Sequence, residues 1–397
     1  MHSSFKEMMN EVVAYGSCCE CGSCVLVCPH NVIDYIDSKP KQVAKATAAF
    51  DFCGISEGIG CDVCAQVCPR LGQRETHLTD AVFSGELSGN HTYRGAFGVY
   101  RRIVAARSKD PRVLERCEDG GVVTTLLAWL RRNDRIDGAV VSSVDKDKPC
   151  QPSPKLVTTE DEIIRSAASW YTYCPNNLAL ADAEKLGLTK VAFVGVPCQI
   201  TPVRKMEQAD ASYLDNGRKK EKHIERQRKF LKGYGDRVEF NIGLLCSEVF
   251  TFDGLMIDTI QNQMGIPLGD IRQFNVKGKV QIFKHDGTLI EMNLRRAQEY
   301  ARPECHHCAD FSAELADISC GGVGASNWTI TILRSKKGEE VFDAMAREGL
   351  LEVKPIEEFE TSMKVLLRLT RKQRERVPTP PGRDEIFVRP EGFRNPH

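Results

Sequence analysis

Cysteines near the N-terminus recur at a tight spacing, and part of the pattern is repeated further along the chain. The first run has the form C-x2-C-x2-C-x3-C-P and consists of Cys18, Cys21, Cys24, Cys28 and Pro29. Its second half is repeated by Cys61, Cys64, Cys68 and Pro69. This spacing predicts that the N-terminal part of the chain folds around metal centres bound by thiolates.

The spacing is that of a bacterial-type ferredoxin with two [4Fe–4S] clusters, in which the fourth cysteine of each run binds the other cluster. Cys53 is a candidate for the early ligand that the second run lacks. One predicted cluster therefore has the ligands Cys18, Cys21, Cys24 and Cys68. The other has Cys53, Cys61, Cys64 and Cys28. A chain with such clusters transfers single electrons.

Zinc is the alternative, because paired C-x2-C motifs also form structural zinc sites with four thiolates. Zinc sites usually draw on two separated pairs, whereas here three cysteines crowd into each run and a proline follows the last one. The pattern favours iron–sulfur clusters. Cys19 is a surplus thiol beside Cys18, and the two could exchange roles.

Length and composition exclude several classes of protein. A chain of 397 residues exceeds the usual size of one domain, so a small cluster module and larger units are expected. Seventeen cysteines without an apolar N-terminal signal region favour a reduced cytoplasmic metalloprotein over a secreted disulfide scaffold. No stretch is apolar enough to span a bilayer. Because 54 basic and 54 acidic residues cancel, the net charge favours neither nucleic acid nor a membrane surface as a partner.

The periodicity of apolar residues changes along the chain. Asn31–Asp37 and Phe50–Cys53 are expected to be short extended pieces beside the clusters. From about residue 100 strands and amphipathic helices alternate, which predicts an α/β core. The predicted strands are 103–107, 138–144, 191–194 and 240–245, with a hairpin of 280–283 and 289–292, and the predicted helix carries Val122, Val123, Leu126, Leu127 and Leu130.

Two charged segments stand out. Gly217–Lys232 holds eight Lys or Arg against two Glu. Such a run is more often a solvated helix face than a binding site. The tail from Arg371 is charged and rich in proline, which predicts an arm that orders only on a partner or not at all.

Four further cysteines are candidates for a third cluster. Cys198 and Cys246 each follow a predicted strand end, where α/β proteins often hold cofactors, and Cys305 and Cys308 form a C-x2-C pair. For this pair alone, zinc or a redox dithiol remain alternatives. The remaining cysteines lack partners at ligand spacing and are expected to be small buried residues; they are Cys117, Cys150, Cys174 and Cys320.

Gly120 and Gly121 precede a predicted helix whose first turn carries Thr124 and Thr125. Two glycines there would let a phosphate approach the free N–H groups at the helix N-terminus. A tight turn is the simpler interpretation. No dinucleotide-binding G-x-G-x-x-G follows a strand and no P-loop motif occurs.

Four segments in order resemble the family formed by the beta subunits of coenzyme F420 hydrogenases and dehydrogenases. They are Asp119–Thr124, Gly195–Gln199, Gly243–Cys246 and Cys305–Ser319. The resemblance runs from about residue 95 to 345. With the cysteine runs ahead of it, the layout is most similar to that of the F subunits of F420H2 dehydrogenases, a branch of this family.

The resemblance implies an N-terminal ferredoxin module of two [4Fe–4S] clusters followed by a mixed α/β core that binds FAD and a further cluster. It implies four parts: residues 1–80 with the ferredoxin module, 95–180 with the flavin, 185–345 with the core cluster, and 346–397 with a helix and the charged tail. By the family pattern the ligands of the core cluster are Cys198, Cys246, Cys305 and Cys308. The residues that it implies for flavin binding are Gly120, Gly121, Thr124, Thr125, Ser169, Tyr171, Asn176, Asn177, Gly195 and Pro197.

The family chemistry implies an oxidoreductase with coenzyme F420 as its substrate. The deazaflavin carries hydride and the clusters carry single electrons, so FAD is expected to stand between them, with flow in either direction. No general acid, base or nucleophile is expected. The partners implied are other subunits of a hydrogenase, dehydrogenase or reductase complex, which could be docked on a membrane. Two alternatives remain: a polyferredoxin-type electron relay without its own substrate, and a ferredoxin-linked flavin enzyme acting on another substrate.

Overall fold

The computed structural model describes residues 4–36, 39–42, 50–71, 76–84, 94–213 and 220–375. Its strands are β1 (Ile33–Ile36), β2 (Lys39–Gln42), β3 (Arg102–Ser108), β4 (Gly138–Val144), β5 (Pro152–Val157), β6 (Val191–Gly195), β7 (Val238–Leu244), β8 (Ile271–Val276), β9 (Lys279–Lys284), β10 (Leu289–Asn293), β11 (Ile318–Gly321), β12 (Thr329–Leu333) and β13 (Leu351–Pro355).

The α-helices are α1 (Phe5–Met8), α2 (Ser23–Leu26), α3 (Gly54–Ile59), α4 (Val63–Val67), α5 (Thr76–Val82), α6 (Arg94–Phe97), α7 (Pro111–Leu114), α8 (Val122–Arg132), α9 (Glu160–Arg165), α10 (Leu180–Lys185), α11 (Pro197–Glu207), α12 (Ala209–Ser212), α13 (Glu221–Gly235), α14 (Leu294–Gln298), α15 (Lys336–Arg347) and α16 (Glu360–Glu375). Met9–Ala14 and Asp253–Gln263 are π-helical. Short 3-10 helices cover Asn176–Ala179, Leu268–Asp270, Pro303–His307 and Ile356–Phe359.

A mixed sheet of eight strands forms the centre of the core, in the order β13-β3-β12-β11-β7-β6-β4-β5. Its four middle strands, β11, β7, β6 and β4, are parallel, and antiparallel strands extend it on both sides. Every residue of β6 is buried, as expected for a parallel strand covered on both faces. The sequence segments 95–180 and 185–345 both contribute strands to this one sheet, and where the domain boundaries fall stays a prediction.

Helices cover both faces of the large sheet. On one face α8 buries Val122, Leu126 and Leu130 in a cluster with residues of β4, β6 and β7. On the other face α11 and α13 pack with Phe193 of β6. The helix predicted over 122–130 is therefore confirmed. The strands predicted in the core are also confirmed, and their observed ends differ from the predicted ones by at most two residues.

The predicted hairpin of 280–283 and 289–292 is also confirmed, since β9 and β10 pair antiparallel. With β8 they form a separate three-stranded sheet. The π-helix Asp253–Gln263 packs its buried Leu255 and Ile260 against Phe274 and Ile282 of this sheet.

In the N-terminal segment one expectation was confirmed and one was wrong. Ile33–Ile36 is a strand, while Asp37 lies outside the described residues. Phe50–Cys53 is not a strand: a turn begins at Phe50, and Cys53 is the N-cap of α3. This segment leads directly into a helix, and the strand that pairs with β1 is Lys39–Gln42.

The charged C-terminal segment is ordered further than the sequence predicts. Arg371–Glu375 continues α16, and both Gln373 and Arg374 are buried. The expectation of an arm starting at Arg371 was therefore wrong for these residues, because the Arg374 guanidinium has a carboxylate partner in Glu314. Residues 376–397 of the predicted tail lie outside the described residues.

The basic run of 217–232 falls mostly on α13, and 217–219 lie outside the described residues. Ile224 and Leu231 are buried against α11, which is typical of an amphipathic helix with a solvated charged face. Across the part of the chain that the structure describes, no helix combines the length and the apolar character needed to cross a bilayer.

Candidate functional site

The thiols of the N-terminal segment form two groups, and the first joins both cysteine runs. Cys18, Cys24 and Cys68 are close enough for their charges to interact, and Cys21 neighbours Cys24 in the same way. The pKa of Cys18 is raised mainly by burial and further by the charges of its neighbouring thiols. The structure thus brings together the four cysteines that the spacing assigned to one cluster.

The second group contains the other four. Cys61 interacts with Cys28 and Cys53, and Cys64 interacts with Cys28 and Cys61 as well as with Cys24 of the first group. Burial raises the pKa of Cys61 to about 11, and the negative charges of Asp62 and the neighbouring thiols contribute. Cys28 and Cys68 therefore each lie near cysteines of the opposite run. The crossover of cluster ligands that the ferredoxin spacing expects stays a prediction.

A third group of thiols lines one pocket in the core. Cys198 lies in the first turn of α11, directly after β6, and Cys246 follows the end of β7. Because β6 and β7 are adjacent parallel strands, their carboxyl ends place these two thiols at the same sheet edge. Cys305 and Cys308, in and after a 3-10 turn, complete the set of four.

Hydrogen bonds fix the turn that carries Cys198. Asn176 donates from Nδ2 to the Val194 carbonyl at 2.9 Å, and Asn177 donates from Nδ2 to the Gln199 carbonyl at 3.0 Å. Gln199 in turn accepts from the Val196 N–H at 3.1 Å. The two asparagines, which the family resemblance assigns to the flavin, thus brace the turn between β6 and α11.

Cys19 adds a fifth thiol to the core pocket. Its side chain is 4% exposed and is hydrogen-bonded to the thiols of both Cys198 and Cys21. These hydrogen bonds lower the pKa of Cys19, and Cys198 supplies the larger effect. Cys18 interacts with Cys19 itself and with Cys24 and Cys68, but it does not line the pocket. The structure therefore gives the two adjacent cysteines different surroundings.

Charged side chains join the N-terminal segment to the core around this pocket. The Arg70 guanidinium donates to the carbonyls of His307 and Glu304 in the C-x2-C loop. Lys205 of α11 donates from Nζ to the Cys68 carbonyl at 2.8 Å. Sequence reasoning missed Arg70, because an arginine after a cysteine run carries no signal of the distant thiols that it will contact.

Arg302 makes a second charged link across the same boundary. Its guanidinium pairs with Glu20 of the first cysteine run and lies over the Tyr173 ring, 4.0 Å from the ring centre. The Tyr173 hydroxyl is buried and has no hydrogen-bond partner among the described residues. The boundary between the N-terminal segment and the core is therefore built from hydrogen bonds and buried charges as well as thiols.

The arrangement of the thiols does not meet the requirement of a single metal ion in the described parts of the chain. A zinc ion holds thiolate sulfurs at about 2.3 Å, so its ligands must converge closely on one point. In the described ranges no three His, Cys, Asp or Glu side chains are arranged to hold one ion. A four-iron cluster places a bulky inorganic core between its ligands, so it does not need that close convergence.

Gly120 and Gly121 lie at the start of α8, as the sequence predicts. Gly121 has φ of +70°, and a Cβ on Gly120 would lie 2.3 Å from the Ala106 carbonyl oxygen. The Gly120 N–H donates to Thr329 Oγ1 at 3.1 Å. Local packing and backbone conformation thus require both glycines, as the tight-turn interpretation expects, and the phosphate role stays a prediction.

The two threonines of this helix have different surroundings. Thr125 Oγ1 donates to Ser108 Oγ at 2.7 Å and lies 3.0 Å from the Gly121 carbonyl oxygen, so its hydroxyl is used within the protein. Thr124 is buried at 8% exposure. At the other predicted positions, Gly195 ends β6 and Pro197 begins α11.

Ser169 and Tyr171 meet an acidic residue that the sequence did not single out. Both hydroxyls are hydrogen-bonded to the Glu118 carboxylate. Burial raises the pKa of Glu118 to about 7, and the negative charge of Asp119 adds to this shift. Tyr171 has φ of +58°, a conformation that is uncommon for a residue with a bulky side chain. Glu118 directly precedes the segment Asp119–Gly121. Its hydrogen bonds to Ser169 and Tyr171 therefore connect two of the predicted flavin-binding segments.

The remaining cysteines lie outside the three thiol groups. Cys150, Cys174 and Cys320 are buried, and burial raises the pKa of each to about 12. Cys117 is half-buried, and its Sγ donates to the Asp119 carbonyl at 3.0 Å. Burial was expected of all four cysteines and is found for Cys150, Cys174 and Cys320, whereas Cys117 is only half-buried.

Family models match most of the core. The N-terminal model of the coenzyme F420 hydrogenase/dehydrogenase beta subunit matches residues 103–181. The C-terminal model of the same subunit matches residues 188–359. The two matches follow each other along the chain and cover nearly all of the large sheet, the four core cysteines and the glycine pair.

Individual relatives agree with these models. The beta subunit of the coenzyme F420 hydrogenase of Methanosarcina barkeri is 30% identical over 76% of this chain and 97% of the relative. The F subunit of the F420H2 dehydrogenase of Methanosarcina mazei is 28% identical over 85% of each chain. The coenzyme F420-dependent sulfite reductase of Methanocaldococcus jannaschii is 31% identical over 93% of this chain and 52% of the relative.

A solved structure shares the fold. A chain of the F420-reducing [NiFe] hydrogenase complex from Methanosarcina barkeri superposes with a TM-score of 0.63 at 30% identity. The match covers 71% of this chain and 91% of that chain. The sequence motifs, the family models and the shared fold agree, and the chain belongs to the family of coenzyme F420 hydrogenase/dehydrogenase beta subunits.

Proposed function

We propose that this protein is an F420-dependent iron–sulfur flavoprotein, an oxidoreductase subunit that exchanges hydride with coenzyme F420 and passes electrons to or from a partner complex. The observation that carries the proposal is the contact between the core thiol pocket and the N-terminal thiols, made by Cys19 and Cys198. When bound, FAD would interconvert hydride and single electrons, and three [4Fe–4S] clusters would carry the electrons.

The thiol groups supply the ligands for these clusters. Two N-terminal groups of four and the core group of four would each hold one cluster. All twelve of these thiols are buried or half-buried, so the surrounding protein restricts the access of water to the sites. Water exclusion and nearby hydrogen bonds are the means by which a protein sets the potential of such a cluster.

Polar groups near Glu118 and in residues 169–177 fit a flavin. The hydroxyls of Thr172 and Tyr173 are buried without a hydrogen-bond partner in the described parts of the chain, so a polar ligand could satisfy them. The start of α8 offers N–H groups and a positive dipole end to a phosphate. The Asn176 and Asn177 amides would act indirectly, by holding the turn between β6 and α11.

The relatives support an assembly. The M. barkeri match is to a chain of a hydrogenase complex, and the M. mazei relative is a dehydrogenase subunit. We therefore propose that this chain works in the cytoplasm as one subunit of a hydrogenase, dehydrogenase or reductase complex, and that this complex could dock on a membrane. Its work is to position cofactors and substrate, without a catalytic acid, base or nucleophile.

The test is anaerobic mixing of the reconstituted protein with reduced coenzyme F420, with flavin and cluster absorbance followed together. Bleaching of both supports the proposal. Bound FAD without bleaching would favour a ferredoxin-linked enzyme with another substrate, and no FAD with no bleaching would favour an electron relay. Cys198→Ala should abolish transfer through the core site, whereas Cys320→Ala, a buried cysteine on β11 outside the pocket, should retain it.

A further inference from the structure

Arg70 is a residue of the N-terminal segment whose side chain lines the core thiol pocket. It directly follows Cys68 and Pro69 in the sequence, and it is 6% exposed. The charges of Cys198, Cys305 and Cys308 all act on its guanidinium. A cation from one part of the chain is therefore buried beside the thiols of another.

The guanidinium is held in a fixed place. It donates to two carbonyls of the loop that carries Cys305, those of His307 and Glu304. On either side of Arg70, the carbonyls of Cys68 and Leu71 accept from Lys205 Nζ at 2.8 and 3.0 Å. Lys205 belongs to α11, the helix that also carries Cys198. The same helix therefore fixes both the arginine and one of the pocket thiols.

The positive charge of Arg70 lacks an acidic partner among the residues that the structure describes. Arg302 lines the same pocket but differs, since Glu20 and Glu304 neutralise it. The Nε atom of Arg70 is buried and has no hydrogen-bond partner within the described ranges. A buried charge is costly unless it is paired, so the pocket is suited to an anionic group that faces Arg70.

We propose that Arg70 is the charge-compensating residue of the core site and that it raises the reduction potential of the group held by Cys198, Cys246, Cys305 and Cys308. This inference rests on the proposed function. Reduction adds negative charge to a cluster, and a fixed cation nearby favours the more negative state. Because Arg70 comes from the N-terminal segment, the potential of the core site depends on the contact between that segment and the core.

The test is an anaerobic redox titration of the cluster-loaded protein followed by EPR. The core signal is assigned as the one that Cys198→Ala lacks. Arg70→Gln should lower the midpoint potential of this signal by at least 59 mV, which is a tenfold change in a one-electron equilibrium constant. The N-terminal signals should shift less. Arg70→Lys keeps the charge and should retain most of the wild-type potential.

Arg237→Gln is the matched control. Arg237 is a partly buried arginine that also donates to a backbone carbonyl, that of Leu188 at 2.8 Å, and it does not line the pocket. The Arg237→Gln substitution should leave the midpoint potential of the core signal unchanged. The proposal for Arg70 would be overturned if the core midpoint potential of Arg70→Gln equalled that of wild type. It would also be overturned if all signals shifted by the same amount. A loaded wild-type protein without a core signal would instead overturn the proposed function, and this inference with it.

A second measurement applies if the Arg70→Gln variant does not incorporate its clusters. Wild-type protein labelled with ¹⁵N-arginine should show nitrogen coupling to the core signal in pulsed EPR, because the unpartnered Nε lies at the pocket. The conservative variant Arg70→Lys should lose the coupling that comes from Arg70. Arg302 lines the same pocket and should keep its own coupling, so it serves as an internal control. Coupling that persists unchanged in Arg70→Lys would contradict the role of Arg70.

Discussion

The thiol of Cys19, in the N-terminal cysteine run, is hydrogen-bonded to the thiol of Cys198 at the start of α11. Cys19 is also hydrogen-bonded to Cys21, which belongs to the first N-terminal thiol group. A chain of sulfur contacts therefore links the core pocket to that group. In a protein that transfers electrons between the two sites, this chain offers a direct connection between them.

The first prediction concerns the core ligands. Cys198→Ala should remove the core cluster and leave both N-terminal clusters, because the two N-terminal thiol groups do not include Cys198 as a member. Iron analysis and EPR of the reconstituted variant check this. Cys320→Ala, on the adjacent part of the sheet, should keep the full iron content. An iron content in Cys198→Ala equal to that of wild type would contradict the assignment of a third cluster.

The second prediction concerns Cys19. Cys19→Ala should leave the iron content unchanged, because the core pocket and the first N-terminal group each keep four other thiols. It should slow electron transfer between the core and the N-terminal clusters several-fold, since the sulfur contact is lost. Stopped-flow bleaching of the two sets of signals measures this, with Cys117→Ala as a control outside the thiol groups. Lost iron in Cys19→Ala would instead identify it as a ligand.

The third prediction concerns pH. Burial, and then Asp119, raises the pKa of Glu118 to about 7 from its ordinary value of 4.5. The folded protein thus binds the proton more tightly than the unfolded chain, so stability falls as pH rises through the window from about 4.5 to 7.

Glu118→Gln keeps an oxygen that can accept from Tyr171 and removes the charge. It should stabilise the protein by about 1–2 kcal/mol at pH 8, a value reduced for partial exposure of the residue, and have little effect at pH 5. Denaturant midpoints at the two pH values measure the difference. Equal effects of the substitution at both pH values would show that Glu118 does not titrate in this window.

The fourth prediction concerns the glycine pair. Gly120→Ala should destabilise the protein by about 1–3 kcal/mol and lower its flavin content, because the new Cβ would lie 2.3 Å from a backbone oxygen of β3. Gly58→Ala, in α3, is the control: no atom lies within 4 Å of its Cβ, and it should be neutral or stabilising by about 0.5–1 kcal/mol. Thermal unfolding and bound-flavin absorbance test both variants. Wild-type stability in Gly120→Ala would contradict the packing around α8.

The fifth prediction concerns the C-terminal helix. Arg374 pairs with Glu314 and its side chain is fully buried, so Arg374→Met should cost about 3–5 kcal/mol by leaving a buried carboxylate unpaired. Lys364 on the same helix pairs with Glu360 at the surface, and Lys364→Met should change stability by less than about 0.5 kcal/mol. Urea unfolding of the two variants compares them. Similar small losses of stability in both variants would mean that the C-terminal end of α16 contributes little to the stability of the protein.

Local sequence determined much of this protein. The spacing of the N-terminal cysteines predicts which thiols lie near one another, because in the ferredoxin pattern the fourth cysteine of each run binds with the other run. Apolar periodicity predicts the strands of the core and α8, because burial of one face or both sets that pattern. The family motifs predict that Cys198, Cys246, Cys305 and Cys308 meet, and the pocket contains all four.

Only the tertiary structure decided the contacts between distant segments. Cys19 and Arg70 reach the core pocket because the N-terminal segment packs against α11 and the C-x2-C loop, and no local pattern encodes that packing. The same reason explains the errors at Phe50–Cys53, which leads into α3, and at Arg371–Glu375, which is held by a buried ion pair. Local propensity is a weak signal where a single long-range contact supplies the stabilising energy.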